Sequence, residues 1–124
     1  VFVRYRLPAL LKEIEEVLHQ VNQLTIMSVH PGRQGQTFGD PEHGGSLESI
    51  LEKIAQARAH RPDLVIEVDG GVTAELIPAL VKAGANRLCV GGAIFKSKDP
   101  GGTLKEMNQQ LYEISLSNPG SRRR

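Results

Sequence analysis

Three short stretches of this 124-residue chain combine residue types that can do chemistry. They are Met27-Ser28-Val29-His30-Pro31-Gly32-Arg33-Gln34-Gly35-Gln36, Glu67-Val68-Asp69-Gly70-Gly71 and Cys89-Val90-Gly91-Gly92-Ala93. Asp69 closes an apolar run, so its carboxylate should stand at the mouth of a sheet, where it could transfer a proton or hold a metal. The plain structural alternative is that it caps the following turn. The two Gly-Gly pairs begin 21 residues apart, each directly after a strand-like run. Paired glycines let a backbone come close to a ligand, and N–H groups at a helix start can bind phosphate oxygens. One pair alone would more simply make a tight turn; two pairs at equivalent places favour a phosphate site.

The neighbouring residues carry weaker signals. Glu67 lies two positions before Asp69 and so shares its strand face. A second carboxylate there is costly without partners, and an interior hydrogen-bonded role fits it better than catalysis. Met27 reads as core on spacing alone. Arg33 and Gln34 could touch an anion, though solvation of a glycine-rich loop explains them equally well. The histidines His19, His30, His43 and His60 show no metal-ligand spacing. Cys89 is expected to be a small buried strand residue.

The elements that must position these residues alternate along the chain. Val1 to Arg6 permits a short strand. Leu7, Leu10, Leu11, Ile14, Val17, Leu18 and Val21 repeat at helical spacing. Leu24 to Val29 reads as a buried strand, followed by a loop to Gly45. Ser46 or Ser49 opens a helix to about His60, with Leu47, Ile50, Leu51 and Ile54 on its apolar face. Leu64 to Asp69 is a further strand. Thr73 can cap a helix carrying Leu76, Ile77, Leu80 and Val81, short or kinked at Pro78 and stopped by Gly84. Arg87 to Val90 is the last strand. Thr103 and Glu106 have capping-box spacing and open a final helix with Leu104, Met107, Leu111 and Ile114 inward. A domain over 1–116 and a basic disordered tail over 117–124 follow from this reading.

Four strand–helix units in alternation predict an α/β fold with a parallel sheet and right-handed crossovers. At about 31 residues per unit this is half of a (β/α)8 TIM barrel, with a small doubly wound open sheet as the competing architecture. The chain begins at Val1 and not at methionine, which fits a piece of something longer. Lys plus Arg number 15 against 14 Asp plus Glu, a formal charge of +1, so the basic excess of a nucleic-acid binder is missing. No apolar run approaches the length of a membrane span, and no signal peptide is visible. A single cysteine fits a reducing compartment, hence a cytoplasmic setting.

Taken together, Met27-Ser-Val-His-Pro-Gly with Gly35-Gln36, Glu67-Val-Asp-Gly-Gly-Val72, and Ala83-Gly-Ala-Asn86 leading to Gly91-Gly-Ala-Ile-Phe95 resemble the ribulose-phosphate 3-epimerase family. The resemblance runs from about Leu7 to Leu111 and corresponds to strands six, seven and eight of the family barrel, with Val1 to Arg6 as strand five. It implies metal-assisted proton transfer at C3, interconverting D-ribulose 5-phosphate and D-xylulose 5-phosphate. On this resemblance Asp69 is both an acid/base group and a ligand to a divalent cation (Zn, Fe, Mn or Co). Gly70, Gly71, Gly91 and Gly92 form the phosphate cradle, with Gly92 where a serine is common. Gly32, Arg33, Gln34 and Gly35 close over the substrate, and Met27 lines the metal pocket. Nothing in the chain matches the family's first four strands, which carry its other aspartate, two metal-binding histidines and a substrate-contacting serine. A chain with only the carboxyl-terminal four units is expected to be inactive alone, and to self-associate or pair with an amino-terminal half. The alternatives are an epimerase for another ketose phosphate and a non-catalytic phosphate-binding half-barrel.

Overall fold

The computed structural model describes residues 2–6, 15–28, 38 and 46–117. Strands β1 (Phe2–Arg6), β2 (Gln23–Met27), β3 (Val65–Asp69) and β4 (Arg87–Cys89) form one parallel sheet in the order β1-β2-β3-β4. The helices are α1 (Glu15–Leu18), α2 (Leu47–His60), α3 (Ile77–Ala83, preceded by a 3-10 turn over Ala74–Leu76), α4 (Gly92–Phe95) and α5 (Pro100–Ser117). The expected α/β alternation is therefore present as an open parallel sheet.

Register explains why the sheet has two different faces. Leu24 pairs with Ile66, and Ile26 pairs with Val68 and through it with Leu88. Leu24, Ile26, Ile66 and Val68 are fully buried in one cluster with Ile50, Ile54 and Ala57 of α2. Burying an aliphatic side chain of this size contributes about 1.5–3 kcal/mol, so this face holds the layers together. The alternate residues form two rows on the other face: Thr25–Glu67–Arg87, then Met27–Asp69–Cys89 at the carboxyl end. A second cluster of Ile77, Ile94 and Met107 joins α3, α4 and α5.

Helix boundaries follow from local chemistry. Ser46 is the N-cap of α2, its hydroxyl accepting from the Ser49 N–H at 3.1 Å. Pro78 sits in the first turn of α3, where its missing N–H costs nothing, and so it separates the 3-10 turn from the helix. Thr73 makes no side-chain cap there. Gly84 ends α3 at φ 127°, and a Cβ at that position would lie 2.8 Å from the Arg58 Cβ. Arg58 in turn donates from Nε and Nη2 to the Gly84 carbonyl, at 3.1 and 2.7 Å. The Asn86 amide oxygen accepts from the Ile66 N–H at 2.8 Å. The Ala83-Gly-Ala-Asn86 stretch thus fixes how α3 returns to β4.

Several sequence expectations need correction. The last helix begins at Pro100, a turn before Thr103, because Asp99 takes the capping position and accepts from the Gly102 N–H at 3.1 Å. Thr103 instead donates to the Ser97 hydroxyl. Leu104, expected inward, is 46% exposed. Cys89, expected buried, is exposed, on the three-residue strand β4 that ends the strand order. Of the expected first helix only Glu15–Leu18 is helical among the described residues, and Val17 is exposed. β2 ends at Met27, with Ser28 already outside the strand, and Val29, expected within it, lies outside the described residues. The proposed tail overlaps α5 at Ser117; residues 118–124 lie outside the described set.

Candidate functional site

The site is built at the carboxyl ends of β2, β3 and β4, the end where ligands bind parallel α/β sheets. Met27, Asp69 and Cys89 are in register across the three strands. Met27 is buried at 6% exposure, and Asp69 is half-buried. Immediately beyond Asp69, Gly70 and Gly71 adopt φ values of 121° and 63°. That left-handed region is costly for residues with a Cβ. The first Gly-Gly pair is therefore required by the backbone itself.

The second pair is different. Gly91 has φ −120° and ψ −84°, and a Cβ placed on it would meet nothing within 4 Å. At Gly92 a Cβ would meet only the far end of the Lys96 side chain, at 3.8 Å. Neither positive φ nor crowding within the chain demands glycine at these two positions. Their bare backbone faces open space at the mouth of the sheet, beside the β3 turn. This suits close approach of a ligand, and Gly91 caps α4 without any side-chain cap.

Ser28 was absent from the sequence-derived set, yet it holds this mouth in shape. It is fully buried. Its N–H donates to the Asp69 carbonyl at 2.9 Å, and its hydroxyl donates to the same carbonyl at 3.0 Å and to that of Gly70. The end of β2 is thus pinned to the turn that presents Asp69. The only sequence signal was a small polar residue inside an apolar strand end, in Met27-Ser28-Val29.

Below the mouth lies a polar row. Arg87 Nη1 donates to Gln23 Oε1 at 2.5 Å, Gln23 Nε2 donates to Thr25 Oγ1 at 3.1 Å, and Thr25 Oγ1 donates to Glu67 Oε1 at 3.2 Å. Thr25 is almost fully buried. Glu67 therefore has the hydrogen-bonded interior position its place on the strand suggested.

Of the residues singled out in the sequence, Met27, Asp69, Gly70, Gly71, Gly91 and Gly92 come together on adjacent strand ends. Gly32, Arg33, Gln34 and Gly35 lie outside the described residues, as does His30. Among the described residues no group of three or more His, Cys, Asp or Glu could hold a metal ion. Asp69 supplies a single carboxylate, and Glu67 is engaged by Thr25. These residues by themselves do not fit the divalent cation that the resemblance implies. No helix among the described residues is long and apolar enough to cross a membrane.

The chain is of the parallel α/β class, with an acidic residue and paired glycines at the strand ends where such folds bind ligands. Comparison with known proteins narrows the class. The sequence model of the ribulose-phosphate 3-epimerase family matches residues 3–95. The chain belongs to that family. It is 34% identical over 99 residues to ribulose-phosphate 3-epimerase of Bacillus subtilis (strain 168), covering 76% of this chain and 42% of the relative. It is 36% identical over 111 residues to the Aquifex aeolicus (strain VF5) enzyme of the same name, covering 86% and 45%. With the chloroplastic ribulose-5-phosphate-3-epimerase of Arabidopsis thaliana the identity is 39% over 99 residues, covering 77% and 32%. The chain thus spans less than half the length of these relatives. Among solved structures, 3-hexulose-6-phosphate synthase aligns with a TM-score of 0.48 and 23% identity, over 87% of this chain and 60% of that one.

Proposed function

We propose that this chain provides the carboxyl-terminal, phosphate-binding half of a ribulose-phosphate 3-epimerase barrel, strands five to eight, as a single domain over residues 1–116. The observation that carries the reading is Asp69 standing between two Gly-Gly turns on adjacent parallel strands. The backbone N–H groups of Gly70, Gly71, Gly91 and Gly92 hold the phosphate of a ketopentose phosphate, where side chains would obstruct it. Asp69 faces the sugar and moves the proton at C3, one carboxylate of an acid–base pair. Met27 forms an apolar floor at the same level, and the segment Gly32, Arg33, Gln34, Gly35 covers the substrate. A divalent cation, when held with ligands from the rest of a barrel, would polarise the carbonyl.

Inverting a carbon by proton transfer needs an acid and a base on opposite faces, and Asp69 is one group on one face. The monomeric chain is accordingly inactive. The test is epimerisation of ribulose 5-phosphate by the chain with divalent metal, alone and with an amino-terminal four-strand half from the Bacillus subtilis relative. Turnover should need the added half and should fall by about 10²–10⁴-fold with Asp69→Asn. A complemented Asp69→Asn variant within about threefold of its parent would remove Asp69 from the chemistry, since that is far below general acid–base magnitudes.

A further inference from the structure

The large hydrophobic side chains that remain exposed are not scattered. Among the described residues they are Val17, Phe95, Leu104, Tyr112 and Leu116, between 40% and 77% exposed. Val17 is on α1, the helix that joins β1 to β2 at one end of the layer. The other four are on α4 and α5, which follow β4 at the opposite end. The central helices α2 and α3 carry none. On α5, Leu104, Tyr112 and Leu116 are spaced by eight and four residues, so they spread over about 120° of one side of the helix. That arc starts about 60° from Met107, which is buried with Ile77 of α3 and Ile94 of α4, and ends on the opposite face of the helix.

The sheet has the same two ends. Among the described residues β1 pairs only with β2, and β4 pairs only with β3, all in parallel. Each end therefore combines an unpaired strand edge with an uncovered apolar helix flank, a combination that drives strand pairing with another chain. Met27, at the carboxyl end of β2, is only 6% exposed, so the exposed apolar side chains are those at the two ends.

We infer that two copies of this chain close head to tail: the β4–α5 end of each packs on the β1–α1 end of the other. A parallel edge can pair with a parallel edge of the second copy without reversing direction, so both ends are satisfied by one twofold operation about the sheet axis. Four strands from each copy give eight, the number at which a closed barrel's interior is just filled by side chains. The contact is heterologous, and two-copy closure is what prevents an open filament. The inference does not rest on the epimerase reading, since it uses only edges and exposed apolar side chains; assembly and turnover are measured separately.

Analytical ultracentrifugation at tens of micromolar tests it with three samples. The parent chain should sediment at twice its 13.5 kDa mass. Val17→Glu and the double variant Leu104→Glu/Leu116→Glu should each be monomeric with the parent's far-ultraviolet circular dichroism, because the substituted sites are exposed. Mixing the two variants in equal amounts should restore dimer, since one seam then joins two intact ends. A parent that is monomeric, that dimerises only with an added amino-terminal half, or whose mass grows without limit on concentration overturns the inference. So does a Val17→Glu chain that remains dimeric, which would mean an α5-to-α5 contact, or a mixture that stays monomeric. The parent's own mass decides the matter even if a variant fails to fold.

Discussion

Replacing Ser28 with alanine removes one oxygen from the interior and should loosen the turn that presents Asp69. The hydroxyl is fully buried and donates to the carbonyls of Asp69 and Gly70. The Asp69 carbonyl keeps the Ser28 N–H at 2.9 Å, so the loss falls mainly on Gly70. A buried acceptor deprived of its partner costs about 1–3 kcal/mol. For a chain of this size each kcal/mol corresponds to about 3–6 °C in Tm. Urea unfolding followed by circular dichroism should show a lower midpoint with an unchanged slope, the sign of altered stability rather than altered compactness. Ser117→Ala is the control: its exposed hydroxyl donates to the Ile114 carbonyl at 2.9 Å, and its removal should stay within about 0.5 kcal/mol. If Ser28→Ala is as mild as Ser117→Ala, Ser28 does not hold the mouth in shape and the reasoning about it fails.

Two further predictions concern charge and the polar row. Thr25→Val strips Glu67 of its donor and Gln23 of its acceptor, so it should cost about 1–3 kcal/mol, whereas Glu67→Gln keeps an acceptor for Thr25 and should be milder; equal losses in chemical denaturation would contradict the order of the row. The Arg61 guanidinium, hydrogen-bonded to Asp63 at 2.9 and 3.1 Å, holds the Asp63 carboxyl below its usual 3.8. A lowered folded-state pKa contributes stability that is present above 3.8 and is lost as pH falls through the folded value. Asp63→Asn should flatten that acid limb, and parallel pH curves for variant and parent would refute the assignment.

Much of this architecture was legible in the residues because burial on one sheet face enforces a period of two. Leu24, Ile26, Ile66 and Val68 announce their strands, and Ile50 and Ile54 announce the helix that covers them. Asp69 and the two Gly-Gly pairs were legible as a mouth because a carboxylate and paired glycines are poor choices inside an element. Less legible was anything decided by a competition between neighbours. Asp99 followed by Pro100 outcompetes Thr103 as the start of α5, since proline removes one unpaired N–H from the first turn and the Asp99 carboxylate accepts from another, that of Gly102. Cys89 and Leu104 have apolar side chains whose exposure depends on what lies beyond the β4 end, which no local pattern records. Ser28 was passed over because its role rests on two carbonyls more than 40 positions away in the chain.

Phosphate binding through bare backbone at the mouth between β3 and β4 is the proposal on which the rest depends. Two-dimensional amide NMR during titration of the chain with inorganic phosphate, and then with ribulose 5-phosphate, tests this most directly. Saturable shifts of the Gly70, Gly71, Gly91 and Gly92 amides are expected. Gly91→Val should abolish them by obstruction while the fold persists, because a Cβ there meets nothing within 4 Å. Amides elsewhere that respond while these four stay still would contradict it.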